Sequence, residues 1–204
     1  MNFTHVEKNA HKKAGAGAPV EAPKKPLGAP AKPAEKAPEV KKDPKKELKM
    51  NTWYVENYGK EVLKFEGDDV QNNYGFALIK CTDTTVAISG KCKTIMLENC
   101  TGVKVIIDSV LAMIELINCK KVTVTIKETC PQFNIERSLG VHLYLFPSAK
   151  GCKVHSTCSQ SMVVHYPLKD AGEDDEWLDI AIPETNVTQI KNDKLVTEAL
   201  EGME

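Results

Sequence analysis

The sequence predicts an all-β fold, a short parallel β-helix, and three observations predict it. Cys81, Cys100, Cys119 and Ser138 fall nineteen residues apart. Each is followed at fixed offsets by small or aliphatic side chains: Thr84, Val103, Val122 and Val141 three residues on, Val86, Val105, Val124 and Leu143 at five, Ile88, Ile107, Ile126 and Leu145 at seven. From Trp53 onward the chain is rich in Val, Ile and Thr with alternating apolar positions and almost no sustained helical periodicity, the pattern of strands.

A second alternating stretch keeps the same phase. Phe76, Ile95, Ile114, Phe133 and Cys152 make one column, and Leu78, Leu97, Leu116, Ile135 and Val154 make another. A unit this short with two alternating strands cannot bury a hydrophobic face by itself, so it must stack on its neighbours. The chain then winds once per unit, each strand pairs in parallel with its equivalents about 4.8 Å away, and the columns point inward. About five inward aliphatics per coil, at roughly 1.5–3 kcal/mol each, do not exceed the cost of ordering the whole unit, so several coils must fold together. The coils are expected from about Trp53 to about Tyr166.

Charge divides the chain in two. Residues 1–50 hold 7 of the 11 prolines and 12 lysines against 6 acidic residues, a net of +6, and residues 51–204 carry a net of −7. The whole molecule is near neutral, with Lys+Arg 27 and Asp+Glu 28, which removes a global electrostatic case for nucleic-acid binding. Between Ala14 and Lys49 the residues are nearly all Ala, Pro, Lys, Glu and Gly. Such a segment cannot bury enough apolar area to order itself, so residues 1–50 are expected to be a disordered Lys/Pro/Ala-rich linker and residues 51–204 the β-helix domain. Pro-x-x-Pro occurs at Pro23–Pro26 and Pro30–Pro33, a weak docking signal in so biased a tract.

No window approaches the roughly 18 consecutive apolar residues of a membrane span. Met1-Asn2-Phe3-Thr4 opens neither a signal peptide nor a myristoylation motif, so a cytoplasmic protein without stable membrane insertion is expected. The 7 cysteines fit a reducing compartment, where they act as small apolar side chains.

A stack needs ends, because an uncovered last coil exposes strand edges. After the acidic run Glu173–Glu176 come Trp177-Leu178-Asp179-Ile180-Ala181-Ile182, then Asn186–Ile190 and Leu195–Thr197 around a polar turn at Lys191–Lys194. This reads as a β-hairpin outside the repeat phase, able either to fold back as a cap or to pair with a second chain.

Chemistry-bearing patterns are sparse. Cys81, Cys100 and Cys119 form a straight ladder rather than a tetrahedral ligand set, so no metal and no cofactor are expected. His142 and Tyr144 lie out of phase with the inward columns and should face solvent, and His155 and His165 lack a Ser or Cys partner at recognisable spacing. Glu98 and Glu136 share a column with Ile117 between them, about 9.6 Å apart, and suit an acidic surface better than glycoside cleavage. No phosphate-binding glycine motif occurs. Arg137 is the sole arginine, and an arginine finger acting on a bound GTPase is one use for it.

The repeat phase together with Trp53-Tyr54-Val55-Glu56-Asn57, Ile88-Ser89-Gly90-Lys91, Glu98-Asn99-Cys100, Ile114-Glu115-Leu116-Ile117-Asn118 and Lys194-Leu195-Val196-Thr197 resembles the C-terminal domain of cyclase-associated protein, over roughly residues 51–204. The short architecture looks like the reduced form of that family found in apicomplexan parasites. The resemblance implies a right-handed parallel β-helix, dimerised by exchange of C-terminal strands. It implies a non-enzymatic protein that binds monomeric actin, prefers the ADP form and promotes nucleotide exchange. On that resemblance, actin contacts are expected at Lys104, Glu115, Asn118, Lys120, Lys121, Asn134, His142, Tyr144, Lys194, Leu195, Val196 and Thr197. Dimer contacts are expected at Trp177, Ile180, Ile182, Val187, Ile190 and Leu195. The alternative is a GTPase-activating β-helix resembling tubulin cofactor C and working through Arg137. That family sets its arginine in Gln-x-Arg, whereas here Asn134-Ile135-Glu136-Arg137 has no glutamine.

Overall fold

The chain divides into two units, Met1–Glu39 and Val40–Glu204. In this computed structural model the described residues, 42–149, 151–167, 177–192 and 194–199, all lie in the second unit. They form strands β1 (Lys45–Lys49), β2 (Thr52–Glu56), β3 (Val62–Phe65), β4 (Gly75–Ile79), β5 (Thr85–Glu98), β6 (Lys104–Ile117) and β7 (Lys120–Thr129). There follow β8 (Gln132–Glu136), β9 (Leu139–Leu145), β10 (Lys153–Thr157), β11 (Gln160–Pro167), β12 (Trp177–Ala181), β13 (Asn186–Lys191) and β14 (Lys194–Ala199). Among the described residues the only helical pieces are single 3-10 turns at Gly67–Asp69 and Pro147–Ala149.

The strands wind into a parallel β-solenoid of about six turns. On one face β2, β4, the second half of β5, the second half of β6, β8 and β10 stack in parallel. On the other, β3, the first half of β5, the first half of β6, β7, β9 and β11 do the same. β5 and β6 serve both faces because register shifts between Ile88 and Lys91 and between Cys92 and Thr94 bend the pair. Gly90, at φ +120°, allows that bend, and its N–H donates to Asp108 Oδ2 at 2.7 Å.

The inward columns are where the repeat puts them. Val86, Val105, Val124 and Leu143 are buried, as are Ile95, Leu97, Ile114, Leu116, Phe133 and Ile135. Cys81, Cys100 and Cys119 line one inner corner, and each thiol donates to the carbonyl of the preceding coil: Cys81 to Val55, Cys100 to Leu78, Cys119 to Leu97, at 3.4–3.5 Å. At the same corner Ser159 Oγ reaches Ile135 O at 3.3 Å. Among the described residues no buried side-chain nitrogen or oxygen lacks a partner.

Each coil turns through two left-handed residues three apart. Asn57, Lys80, Asn99, Asn118, Arg137 and Cys158 make the first set, with φ between 48° and 60°. Lys60, Asp83, Gly102, Lys121, Gly140 and Ser161 make the second. Asn and Gly fit this conformation readily, whereas Lys80 and Arg137 hold it because their neighbours in the stack impose it.

Three expectations are corrected. The sheet begins upstream of residue 51: β1 pairs antiparallel with β2, Lys45 opposite Glu56 and Lys49 opposite Thr52, and Lys46 Nζ sits 4.2 Å from the Phe65 ring centroid. Those lysines find an aromatic surface and a strand edge, which composition alone does not reveal. The repeat also slips in the last coil. Val154, not Cys152, pairs with Phe133, and Ser156, not Val154, pairs with Ile135, because the turn at Pro147–Ala149 adds two residues to that coil. The third correction concerns His142 and Tyr144, which point away from the core but are half-buried rather than bare to solvent. His165 stacks on Tyr144 at 4.1 Å between centroids, and Trp177 packs edge-on against Tyr144 and Phe146.

Past the last coil, β12 lies antiparallel on β11, with Pro167 opposite Trp177 and Val163 opposite Ala181. β13 and β14 form a separate two-stranded antiparallel sheet closed by the Lys191–Lys194 turn.

Candidate functional site

The expected contact residues wrap around one corner of the solenoid instead of sharing one flat face. Glu115 on β6 and Asn134 on β8 are register neighbours on the first face. With Ile117, Ile135, Glu136, His155 and Thr157 they line a shallow groove of about 250 Å³. The chain then turns through Asn118, φ +53°, into Lys120 and Lys121, φ +52°, all exposed. On the second face Lys104 and His142 share a row with Thr123 between them, and Tyr144 follows His142 two residues on. Lys194, Leu195, Val196 and Thr197 stand apart on β14, in the separate sheet.

Parallel stacking explains this arrangement. Residues nineteen apart lie one above another, so the corner presents Asn99, Asn118 and Arg137 in file. Arg137 is tied down there: its Nε donates to Asn118 Oδ1 at 2.9 Å, and a terminal nitrogen is ion-paired with Glu136 Oε1. The register also puts Glu98, Ile117 and Glu136 in one file, alternating carboxylate and aliphatic.

The expected dimer residues divide into two groups. Trp177 is half-buried against its own chain, and Ile182 packs on the core while its N–H bonds Met162 O at 2.9 Å. Ile180, Val187, Ile190 and Leu195 remain exposed, the last two by 76% and 74%.

The repeat does not mark the polar cluster at the C-terminal end. His165 is only 7% exposed although it lies outside the solenoid interior. Its Nδ1 is 2.6 Å from Asp179 Oδ1, and its Nε2 is 2.8 Å from His142 Nδ1. The extra two residues of the last coil set His165 opposite Tyr144, an offset that the nineteen-residue phase hides.

The core thiols shift in opposite directions, with Cys81 and Cys119 held below the ordinary thiol range by the Cys100 thiol between them and Cys92, Cys100 and Cys130 above it. Burial pushes the Cys92 thiol up to about 12. The neighbouring Cys119 and Cys81 thiols, with burial, hold Cys100 well above the ordinary thiol range. Cys158 is exposed.

Comparison with known proteins places the chain. Residues 42–202 match the family described as adenylate cyclase associated (CAP) C terminal. The chain belongs to this family. It is similar to the adenylyl cyclase-associated protein of Schizosaccharomyces pombe, 29% identical over 89% of this chain and 31% of the relative. It is similar also to adenylyl cyclase-associated protein 1 of Bos taurus, 31% identical over 87% of this chain and 36% of the relative. The chain thus spans about a third of the length of the CAP relatives it matches. Among solved structures, the cyclase-associated protein of Cryptosporidium parvum superposes with a TM-score of 0.71 at 25% identity, covering 78% of this chain and 96% of that one. The sheet order described above is therefore the architecture of a CAP C-terminal domain.

Proposed function

We propose that this chain is a non-enzymatic, cytoplasmic regulator of monomeric actin that prefers the ADP form, promotes its nucleotide exchange and works as a homodimer. Family membership across residues 42–202 is the observation that carries the reading. The geometry agrees with it. A stacked solenoid is a stiff scaffold, and the corner from Glu115 through Lys121 to His142 offers both signs of charge on rigid backbone. The protein would bind more tightly to the actin conformation whose nucleotide cleft is open, so preference and exchange change together by linkage.

Two features support the homodimer. All residues of β13 are exposed, and an isolated two-stranded hairpin is marginal in water. β10 pairs only with β8 among the described strands, which leaves a strand edge of the kind an exchanged hairpin would cover.

Nucleotide release from ADP-actin, followed with and without the chain, tests the proposal. Faster release is expected. An unchanged rate together with no binding rejects it.

A further inference from the structure

We propose that Cys130 and Cys152 form a redox site, which a hydroperoxide closes into a disulfide tying the last coil to the one before it. The inference rests on geometry within this chain and is independent of the actin reading.

Two thiols from successive coils converge on one inner corner. Cys92 pairs with Val110 and Ser109 with Thr129, so Cys92, Val110 and Cys130 stand in one file. The nineteen-residue phase, if it continued, would bring Cys152 opposite Phe133. Instead Lys153 pairs with Gln132 and Val154 with Phe133, and the Lys153 N–H donates to Pro131 O at 3.0 Å. That offset sets Cys152 level with Pro131, as a diagonal neighbour of Cys130. Strand spacing and rise put diagonal Cα atoms about 6 Å apart, inside the roughly 4.4–6.8 Å that a disulfide spans. Cys130 is buried at 4% exposure, and Cys152 packs against the same core from its rim. Cys130 Sγ lies 3.4 Å from Gln132 O and Cys152 Sγ 3.8 Å from Lys153 O, the carbonyls of two register partners. The thiols are in hydrogen-bonding contact.

The two sulfurs divide the chemistry. Cys152 is half-buried, which leaves its sulfur open to a small oxidant. The Cys130 thiol, donating to it, holds Cys152 below the ordinary thiol range, while Cys152 and burial hold Cys130 above it. Cys152 is therefore the nucleophile and Cys130 the resolving thiol. The Cys152 thiolate attacks one peroxide oxygen, the O–O bond breaks, the other oxygen leaves with the thiol's proton, and a sulfenic acid results. Cys130 then attacks the sulfenic sulfur: the S–S bond forms, the S–O bond breaks, and the oxygen departs as water with the Cys130 proton. Two thiols lose two electrons, and one hydroperoxide accepts them to give an alcohol and water, or two waters from hydrogen peroxide.

The other cysteines each lack part of this arrangement. Cys81, Cys100 and Cys119 adjoin one another but are 0% exposed. Cys92 is buried and two coils from Cys130, about 9.6 Å on the coil spacing, with Val110 between. Cys158 is exposed, but the file at its corner continues with Arg137 and Asn118 rather than a thiol. Among the described strands β10 pairs only with β8, so a bond from Cys152 to Cys130 holds the start of β10 to the coil that carries it. By closing the chain from residue 130 to residue 152 it also restricts the unfolded state.

Treating the full chain with hydrogen peroxide near neutral pH, then denaturing, alkylating and mapping peptides, tests the site. Two of the 7 alkylatable thiols should disappear, one bond should join Cys130 to Cys152, and dithiothreitol should restore all 7. The urea midpoint should rise on oxidation and return on reduction. Cys158→Ala should oxidise as the wild type does. Cys152→Ser should leave Cys130 reduced, and Cys130→Ser should stop at a Cys152 sulfenic acid that dimedone traps. Because Cys130 is a core residue, the wild-type peptide map decides the case where Cys130→Ser does not fold. Retention of all 7 thiols under peroxide that oxidises free cysteine, a bond through Cys158 or between chains, or an unmoved urea midpoint in the bonded chain would overturn the proposal.

Discussion

Gly102 has φ +69°, and a Cβ built there would overlap the Asp83 carboxylate one coil below and come within 3.4 Å of its amide nitrogen. Gly102→Ala therefore combines backbone strain with a steric clash and should lose about 1–3 kcal/mol in urea unfolding. Asp83→Ala in the same chain should recover the clash and leave the strain. Cys92 gives a second residue-level prediction. Its raised pKa means that the unfolded thiol ionises from near 9.0 while the folded one stays neutral to about 12. This contribution is complete below the unfolded pKa and is lost as pH climbs toward the folded one. Thermal melts should show wild-type stability declining through that alkaline window more steeply than in Cys92→Ala. The inward columns could be read from the sequence because a nineteen-residue period leaves the same face buried in every central coil. The left-handed conformation of Lys80 and Arg137 could not, since nothing in a lysine or arginine asks for positive φ. The ring of His165 escaped for a different reason: its column shifts with the two residues added at Pro147–Ala149.

Among the elements, β12 and the β13–β14 hairpin answer a question that alternation leaves open. The sequence allows the C-terminal segment to cap its own stack or to pair with another chain. In the structure β12 caps its own stack on β11, and β13 and β14 pair with each other as a separate sheet. Trp177 explains the first role, because Tyr144 and Phe146 offer it edge-to-face partners. Deleting residues 186–204 should leave the coils and β12 folded, with unchanged strand content by circular dichroism. On the proposed dimer, light scattering should then give half the mass, and exchange on actin should weaken. A truncated chain that kept the full mass would contradict the hairpin's role. The start of the body, by contrast, is misread from composition, since the lysines of β1 look like more linker until Trp53 and Phe65 are seen beneath Lys46.

As a whole molecule, the solenoid is a sum of equivalent coils, each contacting only its neighbours. Removing residues 101–119 takes out one period and brings Lys120 to the place of Thr101, which already pair in parallel. That chain should still fold, with lower denaturant resistance and the same spectrum. Removing about nine of those residues should abolish folding, because the shortened unit can no longer complete a turn and the coils on either side lose their shared register. At two of its limits the stack ends in reversed strands, β1 against β2 and β12 against β11. A parallel coil can be prolonged only by another running the same way, so these strands act as a polymer chemist's end-groups. They deny a second copy the edges of β2 and β11, so that among the described terminal strands on the C-terminal side only β10 keeps an edge open to growth on the hydrogen-bond spacing of amyloid.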